Sequence, residues 1–274
     1  MRRLVLGITL FLSIAVFVPE VLAQVMIEQG KVVLKVNPGE TVVDTITIDN
    51  TSKTTPITLR VYWNDFMYIA PFDGTKEFNP AGTSERSLNN WITFSPQQFT
   101  IEPLGSKKVS YSLQVPATAK GGYYGVLFLE NAEAKNTNKI GMTVVTRLGA
   151  LFFVETTNSS RKAVVANRKY ADKNFQAEFT NLGDVVLIPD ATYYFLDKNG
   201  LVAQRGEIKK FYLAAQKKAN FKVPVDEKLA AGQYTAILTF DFGDNESFTD
   251  EFDFIKADNG TITIVPKPEK SAAE

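Results

Sequence analysis

The chain has 274 residues, with 30 basic and 30 acidic side chains, and it contains neither Cys nor His. The lack of both residues excludes disulfides, thiolate nucleophiles and the commonest metal ligands. The balanced charge gives no basic surplus of the kind that drives binding to nucleic acid or to anionic membranes. We therefore expect no cofactor, no metal site, no nucleic-acid partner and no enzymatic activity.

The first 23 residues have the pattern of a secretory signal peptide. Arg2 and Arg3 precede an apolar run over residues 4–18, and small residues precede a cleavage site after Ala23. The apolar run is shorter than the roughly 20 residues that span a bilayer. An uncleaved N-terminal anchor is the alternative. Cleavage would leave 28 basic and 29 acidic side chains, and we expect a periplasmic or extracellular protein without stable membrane insertion.

Beyond residue 24, short segments rich in Val, Ile, Thr, Tyr and Phe alternate with Gly, Pro, Asn and Asp, which is typical of strands and turns. Strands are predicted for a first sandwich over residues 32–36, 41–48, 57–63, 99–101, 109–115, 123–129 and 142–154. The spacing predicts an all-β fold with two tandem immunoglobulin-like β-sandwich domains. We expect these domains over residues 24–157 and 162–257, and a last strand with a flexible tail over residues 258–274.

The second half of the sequence repeats features of the first. A strand ends at a Val-Pro pair at 115–116 and again at 223–224, and an Asn-led turn follows an earlier strand at Asn50 and at Asn181. The separation between these two features is 23 residues longer in the first half. The repeat therefore predicts an insertion in the first domain, within residues 63–91.

Acidic residues are concentrated between positions 241 and 253. Phenylalanine alternates with them at 240–242 and 252–254, around a Gly-Asp-Asn turn at 243–245, which predicts a hairpin. On this interpretation the phenylalanine rings face the core and the acidic side chains face water. A calcium site, which needs 6–8 converging oxygen ligands, is the alternative.

Three segments carry a resemblance to a known family. The runs Ser-Leu-Asn-Asn-Trp-Ile-Thr-Phe-Ser-Pro at 87–96, Phe-Thr-Ile-Glu-Pro at 99–103 and Gly-Gly-Tyr-Tyr-Gly-Val-Leu-Phe at 121–128 resemble the first domain of the periplasmic pilus-chaperone (PapD-like) superfamily. The chain also resembles WxL-interacting cell-wall proteins, which begin with a turn like Asn-Pro-Gly at 37–39. The resemblance covers residues 25–155 well, and the second domain resembles a generic immunoglobulin-like module.

The resemblance implies that the last strand of the first domain is lent to an incomplete subunit, which is β-augmentation. The matching segment alternates Ile140, Met142 and Val144, and Arg147 follows them; these are the candidate partner-binding residues. The family also anchors its client's terminal carboxylate with an Arg on the first strand and a Lys late in the last strand. This chain departs from that pattern, because residues 148–153 contain no Lys and the first strand offers only lysines at 31 and 35.

The resemblance implies a chaperone or assembly factor whose partner is another exported protein, such as a pilus-type or surface subunit. A cell-envelope adaptor that binds peptidoglycan or a surface protein is the first alternative. Its contact surface would be the aromatic-rich insertion, with Trp63, Phe66, Tyr68 and Phe72 as candidate residues. A structural subunit of an extracellular assembly is the second alternative.

Overall fold

The computed structural model describes residues 25–132 and 147–266. The strands of the first half are β1 Val25–Ile27, β2 Lys31–Val36, β3 Thr41–Asn50, β4 Ile57–Tyr68, β5 Lys76–Pro80, β6 Ile92–Ser95, β7 Gln98–Ile101, β8 Ser106–Gln114, β9 Gly122–Asn131 and β10 Arg147–Thr156. Those of the second half are β11 Ala163–Ala171, β12 Asn174–Asn181, β13 Asp190–Asp197, β14 Val202–Ile208, β15 Lys218–Pro224, β16 Gly232–Asp241, β17 Ser247–Lys256 and β18 Ile262–Val265. Within the described ranges, no helix is long and apolar enough to cross a membrane.

The first half of the chain folds into two sheets with a shared apolar core. One sheet has the order β1-β3-β8-β6, and the other has the order β2-β10-β9-β4-β5, with β7 also paired to β4. Side chains from both sheets meet in one buried cluster, among them Ile46, Tyr111 and Phe152. Alternation of apolar and polar residues along β3 and β8 places one face of that sheet in the core and the other in solvent.

Strand β2 runs parallel to β10, whereas β9 and β10 are antiparallel. The parallel pairing begins at Leu151 opposite Lys31 and ends at Thr156 opposite Val36. Strand β10 itself begins at Arg147, so it starts four residues before its pairing with β2. This offset between the two strands is the feature of the fold that defines the candidate site.

The second half forms another two-sheet sandwich. Its sheets have the orders β11-β12-β15 and β14-β13-β16-β17-β18. Aromatic rings fill its core, and Phe179, Phe195, Phe240 and Phe254 have no measurable exposure. The predicted all-β fold class is therefore confirmed, and the predicted strands of the first half all lie within or overlap observed strands.

The Asn-led turn at the end of β3 is a buried hydrogen-bonded corner. The side-chain nitrogen of Asn50 donates to the carbonyl oxygens of Thr55, Ile101 and Glu102 at 2.9, 3.1 and 3.2 Å. Its side-chain oxygen accepts a hydrogen bond from the backbone N–H of Ser52 at 3.0 Å. One amide side chain thus joins the end of β3 to the turn between β7 and β8.

The corner recurs in the second sandwich, where Asn181 ends β12. Its side-chain nitrogen donates to the carbonyl oxygens of Val185, Leu213 and Ala214 at 2.8, 3.1 and 3.2 Å, and its oxygen accepts from the Gly183 N–H at 2.9 Å. Both asparagines are at most 2% exposed. The repeat predicted from the two Asn-led turns is therefore confirmed at the level of individual hydrogen bonds.

The acidic hairpin is formed by β16 and β17, with one exception to the predicted orientation of its acids. Phe240, Phe252 and Phe254 are buried, as predicted. Asp250 is buried as well, and the Arg168 guanidinium donates to both of its carboxylate oxygens, with a distance of 2.9 Å from Nε. The prediction that all the acids face water was wrong here, because an Arg from β11 neutralises this carboxylate. Across residues 25–132 and 147–266, no group of three or more potential ligands is placed to hold a metal ion.

Candidate functional site

The candidate site is the open edge of β10, which we define as residues 147–150 on the side of the strand that faces β2. These residues pair with β9 on one side, from Arg147 opposite Glu130 onward, but the pairing with β2 starts only at Leu151. The Leu151 N–H donates to the carbonyl oxygen of Gly30 at 3.0 Å. Because backbone direction alternates along a strand, the N–H and C=O groups of Arg147 and Gly149 point to the same side. No strand within the described ranges pairs with them there, although β1 lies close to β10.

The side chains of β10 form two rows. Ala150, Phe152 and Val154 point into the core of the first sandwich, where each is at most 1% exposed. Leu148 has the same even spacing and is half-buried at the end of this row. The row of core-facing side chains therefore ends at the open edge with an apolar residue, Leu148.

Only one of the four predicted partner-binding residues lies within the described ranges. Ile140, Met142 and Val144 lie outside the described residues. Arg147 is the first residue of β10 and is exposed. Its odd position places its side chain on the outer face of the sheet, opposite to the row that contains Leu148.

Arg147 rests on an aromatic platform on that outer face. Its guanidinium lies 4.4 Å from the ring centre of Phe128 and 5.6 Å from that of Phe78. Burial raises the pKa of Tyr62, although its hydrogen bond to Arg147 acts in the opposite direction. The Tyr62 hydroxyl also donates to Glu130 at 2.9 Å. These contacts hold the start of β10 against β9 and β4, so Arg147 acts here on its own sheet.

The two lysines of β2 do not complete a basic pair with Arg147. The Lys31 ammonium lies 4.8 Å from the ring centre of Phe153. Lys35 forms an ion pair of 3.3 Å with Asp244 of the second sandwich. Lys31 is paired in register with Leu151, four positions beyond Arg147, which corresponds to about 13 Å along a strand. The structure therefore does not bring Lys31, Lys35 and Arg147 together.

The aromatic residues predicted for a second binding surface contact the protein itself. Trp63 lies in the core of the first sandwich, with its ring 5.3 Å from that of Phe152. Phe66 and Tyr68 are 4% and 6% exposed and belong to a cluster that includes side chains of the second sandwich. Phe72 is half-buried against the core of the second sandwich. Three of the four rings are thus withdrawn from solvent.

Sequence reasoning missed the contact between the two sandwiches. The N–H of Val186 donates to the Tyr124 hydroxyl at 2.6 Å, and the N–H of Gly122 donates to the carbonyl oxygen of Asp184 at 2.9 Å. The available signal was strand β9, which is buried on both faces along most of its length. A nearly continuous apolar run is typical of a strand that is covered on both sides, and the second cover is the other sandwich.

No family model matches the sequence, and no curated protein shows significant sequence similarity to it. Solved structures do resemble it. One is the class 5 fimbriae chaperone CfaA, which is 12% identical over 83% of this chain and 98% of its own, with a TM-score of 0.52. Another comes from a chaperone–tip adhesin complex of CFA/I fimbriae biogenesis and is 15% identical over 84% and 98%, with a TM-score of 0.54. The chain therefore shares its overall fold with these two structures.

Proposed function

We propose that this protein is an exported, non-enzymatic chaperone that binds an incomplete pilus-type or surface subunit by adding strand β10 to it. The observation that carries this proposal is the open edge of β10, where no described strand pairs with the backbone groups of Arg147 and Gly149. β-Augmentation requires such an edge, because main-chain hydrogen bonds supply much of the affinity. The likeness to a fimbriae chaperone in fold supports the same interpretation.

The side-chain pattern before β10 supports strand addition as well. Ile140, Met142 and Val144 share even spacing with Leu148 and Ala150. In a strand that continued without interruption, all five side chains would lie on one face. The proposal therefore assigns the three upstream residues to a row of apolar side chains that fills a groove in the client.

The signal-peptide pattern of residues 1–23 supports export, and a periplasmic site of action follows from the proposal. A protein partner is favoured over peptidoglycan for a specific reason. The adaptor alternative depended on exposed aromatic rings in the insertion, and Trp63, Phe66 and Tyr68 are buried. Of the four candidate rings only Phe72 keeps part of its surface exposed, which favours a protein partner over the adaptor alternative.

The test begins with capture of the client. Residues 24–274 are purified with an affinity tag from the envelope of the source cell, and the proteins that copurify are identified by mass spectrometry. The proposal predicts one abundant partner, a small exported β-rich protein. Recovery of muropeptides without a protein partner would contradict it.

The second step compares two variants at neighbouring positions. Met142→Asp places a charge in the proposed client-facing row, and Thr143→Asp places the same charge on the opposite face. Burying an unpaired carboxylate is costly, so Met142→Asp is expected to weaken client affinity about 10-fold or more, whereas Thr143→Asp retains it. Equal affinity of the two variants would refute the assignment of this row.

A further inference from the structure

The loop between β4 and β5 leaves the first sandwich as a hairpin, which we define as residues 69–75. Its base is closed by the Ile69 N–H, which donates to the carbonyl oxygen of Thr75 at 3.2 Å. The Asp73 carboxylate accepts hydrogen bonds from the N–H and the hydroxyl of Thr75 at 3.1 and 2.7 Å. These hydrogen bonds within the hairpin define the shape of its tip.

The tip of the 69–75 hairpin rests on the second sandwich. The Tyr212 N–H donates to the carbonyl oxygen of Phe72 at 2.8 Å, and the Phe72 ring packs against the buried core of that sandwich. Gly74 lies against the Tyr212 ring, where an added Cβ would be 3.0 Å from Cε2. Tyr68, at the end of β4, has its ring 5.0 Å from that of Tyr212. The contact therefore combines a backbone hydrogen bond with apolar packing.

A second set of contacts lies beside the connection between the sandwiches. The carbonyl oxygen of Asp184 accepts a hydrogen bond from the Gly122 N–H of the first sandwich at 2.9 Å. In the linker, the Ser160 N–H donates to the Asp184 carboxylate at 2.7 Å, and the Asp184 N–H donates to the Ser160 carbonyl oxygen at 3.0 Å. Because these bonds include the linker itself, we take them as the pivot of any rotation between the two sandwiches. Tyr212 belongs to the buried cluster that joins the two sandwiches, and Leu213 next to it bridges to Leu187 of the second sandwich.

We propose that the 69–75 hairpin is a brace that fixes the angle between the two sandwiches. Rotation about the pivot near Asp184 would break the Phe72–Tyr212 hydrogen bond and expose the Phe72 ring to water. Both changes oppose rotation, because burial of the ring and the backbone bond are lost together. The inference assigns a role to the insertion that does not depend on client binding.

Distance measurements between spin labels test the brace directly. The chain has no Cys, so the two exposed positions Thr93 and Thr249 can be changed to Cys and labelled selectively. The unaltered hairpin is expected to give one narrow distance distribution in double electron–electron resonance. Replacement of residues 70–74 by Asn-Gly, which forms a two-residue hairpin turn, removes the tip and is expected to broaden or shift that distribution.

Two further variants make the result decisive. Gly74→Val keeps Phe72 but strains the tip, because Gly74 has a φ of 103°, and it pushes against Tyr212; it is expected to shift the distribution in the same direction. Glu77→Ala, on the exposed face of β5, is the matched control and is expected to leave the distribution unchanged. Circular dichroism establishes that both sandwiches stay folded; should the short turn unfold the second sandwich, Gly74→Val alone decides. A narrow, unshifted distance distribution in the folded short-turn variant would overturn the brace. If the short-turn variant does not fold, the same result in Gly74→Val would overturn it.

Discussion

Replacement of either corner asparagine by leucine tests whether the two sandwiches rely on the same device. Asn50→Leu and Asn181→Leu keep the approximate size of the side chain but remove its two N–H donors and its acceptor. Each asparagine serves three carbonyl oxygens within 3.2 Å and one backbone N–H. Both side chains are almost fully buried, although three of the six carbonyl partners lie in partly buried positions.

The cost of each substitution follows from these hydrogen bonds. A buried polar group that loses its partner costs about 1–3 kcal/mol. Two donors and one acceptor are lost at each corner, which would cost about 3–9 kcal/mol if water replaced none of the bonds. Because some of the carbonyl partners are only partly buried, we expect a loss of about 3–6 kcal/mol in the free energy of unfolding of the affected sandwich. That is a large fraction of the ~5–15 kcal/mol that stabilises a typical domain. If the free energy of unfolding falls by about 2 kcal/mol per M urea, this loss lowers the urea midpoint by roughly 1.5–3 M.

The chain offers two separate probes for this experiment. Its only two tryptophans, Trp63 and Trp91, both lie in the first half, so tryptophan fluorescence follows the first sandwich while far-ultraviolet circular dichroism follows both. Asn50→Leu is expected to lower the fluorescence midpoint. Asn181→Leu is expected to lower the urea midpoint of a transition seen by circular dichroism and to change the fluorescence midpoint less. Asn220→Leu, on the exposed face of β15, is the matched control.

Two results would refute the reasoning. A loss below about 1 kcal/mol at both corners would mean that the carbonyl groups find other partners at little cost. Equal loss for Asn220→Leu would mean that leucine itself, and not the missing amide, destabilises the sandwich.

Three further predictions concern the stability of the two sandwiches. Gly125→Ala should destabilise the first by about 3 kcal/mol or more in urea unfolding, because its Cβ would lie 2.0 Å from the Trp63 ring; unchanged stability would contradict this packing. Arg168→Leu should cost the second about 2–3 kcal/mol by leaving the buried Asp250 carboxylate unpaired, and leucine at both positions should recover part of the loss. Burial raises the pKa of Tyr68 to about 12, whereas the pKa of an unfolded tyrosine is about 10. The folded state thus favours the neutral phenol, and stability is lost as the pH rises from 10 to 12; Tyr68→Phe should lose less over this range, and an identical pH dependence would contradict the assignment.

Local sequence patterns predicted the fold because most strands of this protein have one covered face. Alternation along β3, β8 and β15 identifies strands that are apolar on one side. The Asn50 and Asn181 turns were visible because the same residue ends a strand in both halves, and the repeated bonds give the reason. Each of these patterns lies within a few residues, so it can be recognised without knowledge of the tertiary structure.

Contacts between distant segments could not be predicted in the same way. The aromatic residues of the insertion were expected at the surface, but Phe66 and Tyr68 are covered by the second sandwich. Nothing local to them indicates which segment provides that cover. Asp250 was assigned to solvent for the same reason, since its partner Arg168 is 82 residues away in sequence.

Of the predicted partner-binding residues only Arg147 lies within the described ranges, and their role stays a prediction. Alternation through Ile140, Met142 and Val144 pointed to the strand that carries the open edge, but the edge depends on where β2 begins to pair with it. That register is a property of two strands more than 100 residues apart, and no pattern within β10 encodes it. The orientation of Arg147 toward Phe128 likewise follows from its odd position in a strand whose start the sequence did not define.

Hydrogen exchange at the backbone of β10, with and without the captured client, tests the central claim most directly. The amides of Arg147 and Gly149 face the open edge, whereas the amide of Leu148 faces β9 and provides an internal reference. Strand addition predicts that client binding slows exchange at Arg147 and Gly149 and changes Leu148 much less. Protection elsewhere in the molecule, with exchange at Arg147 and Gly149 unchanged, would contradict client binding at this edge.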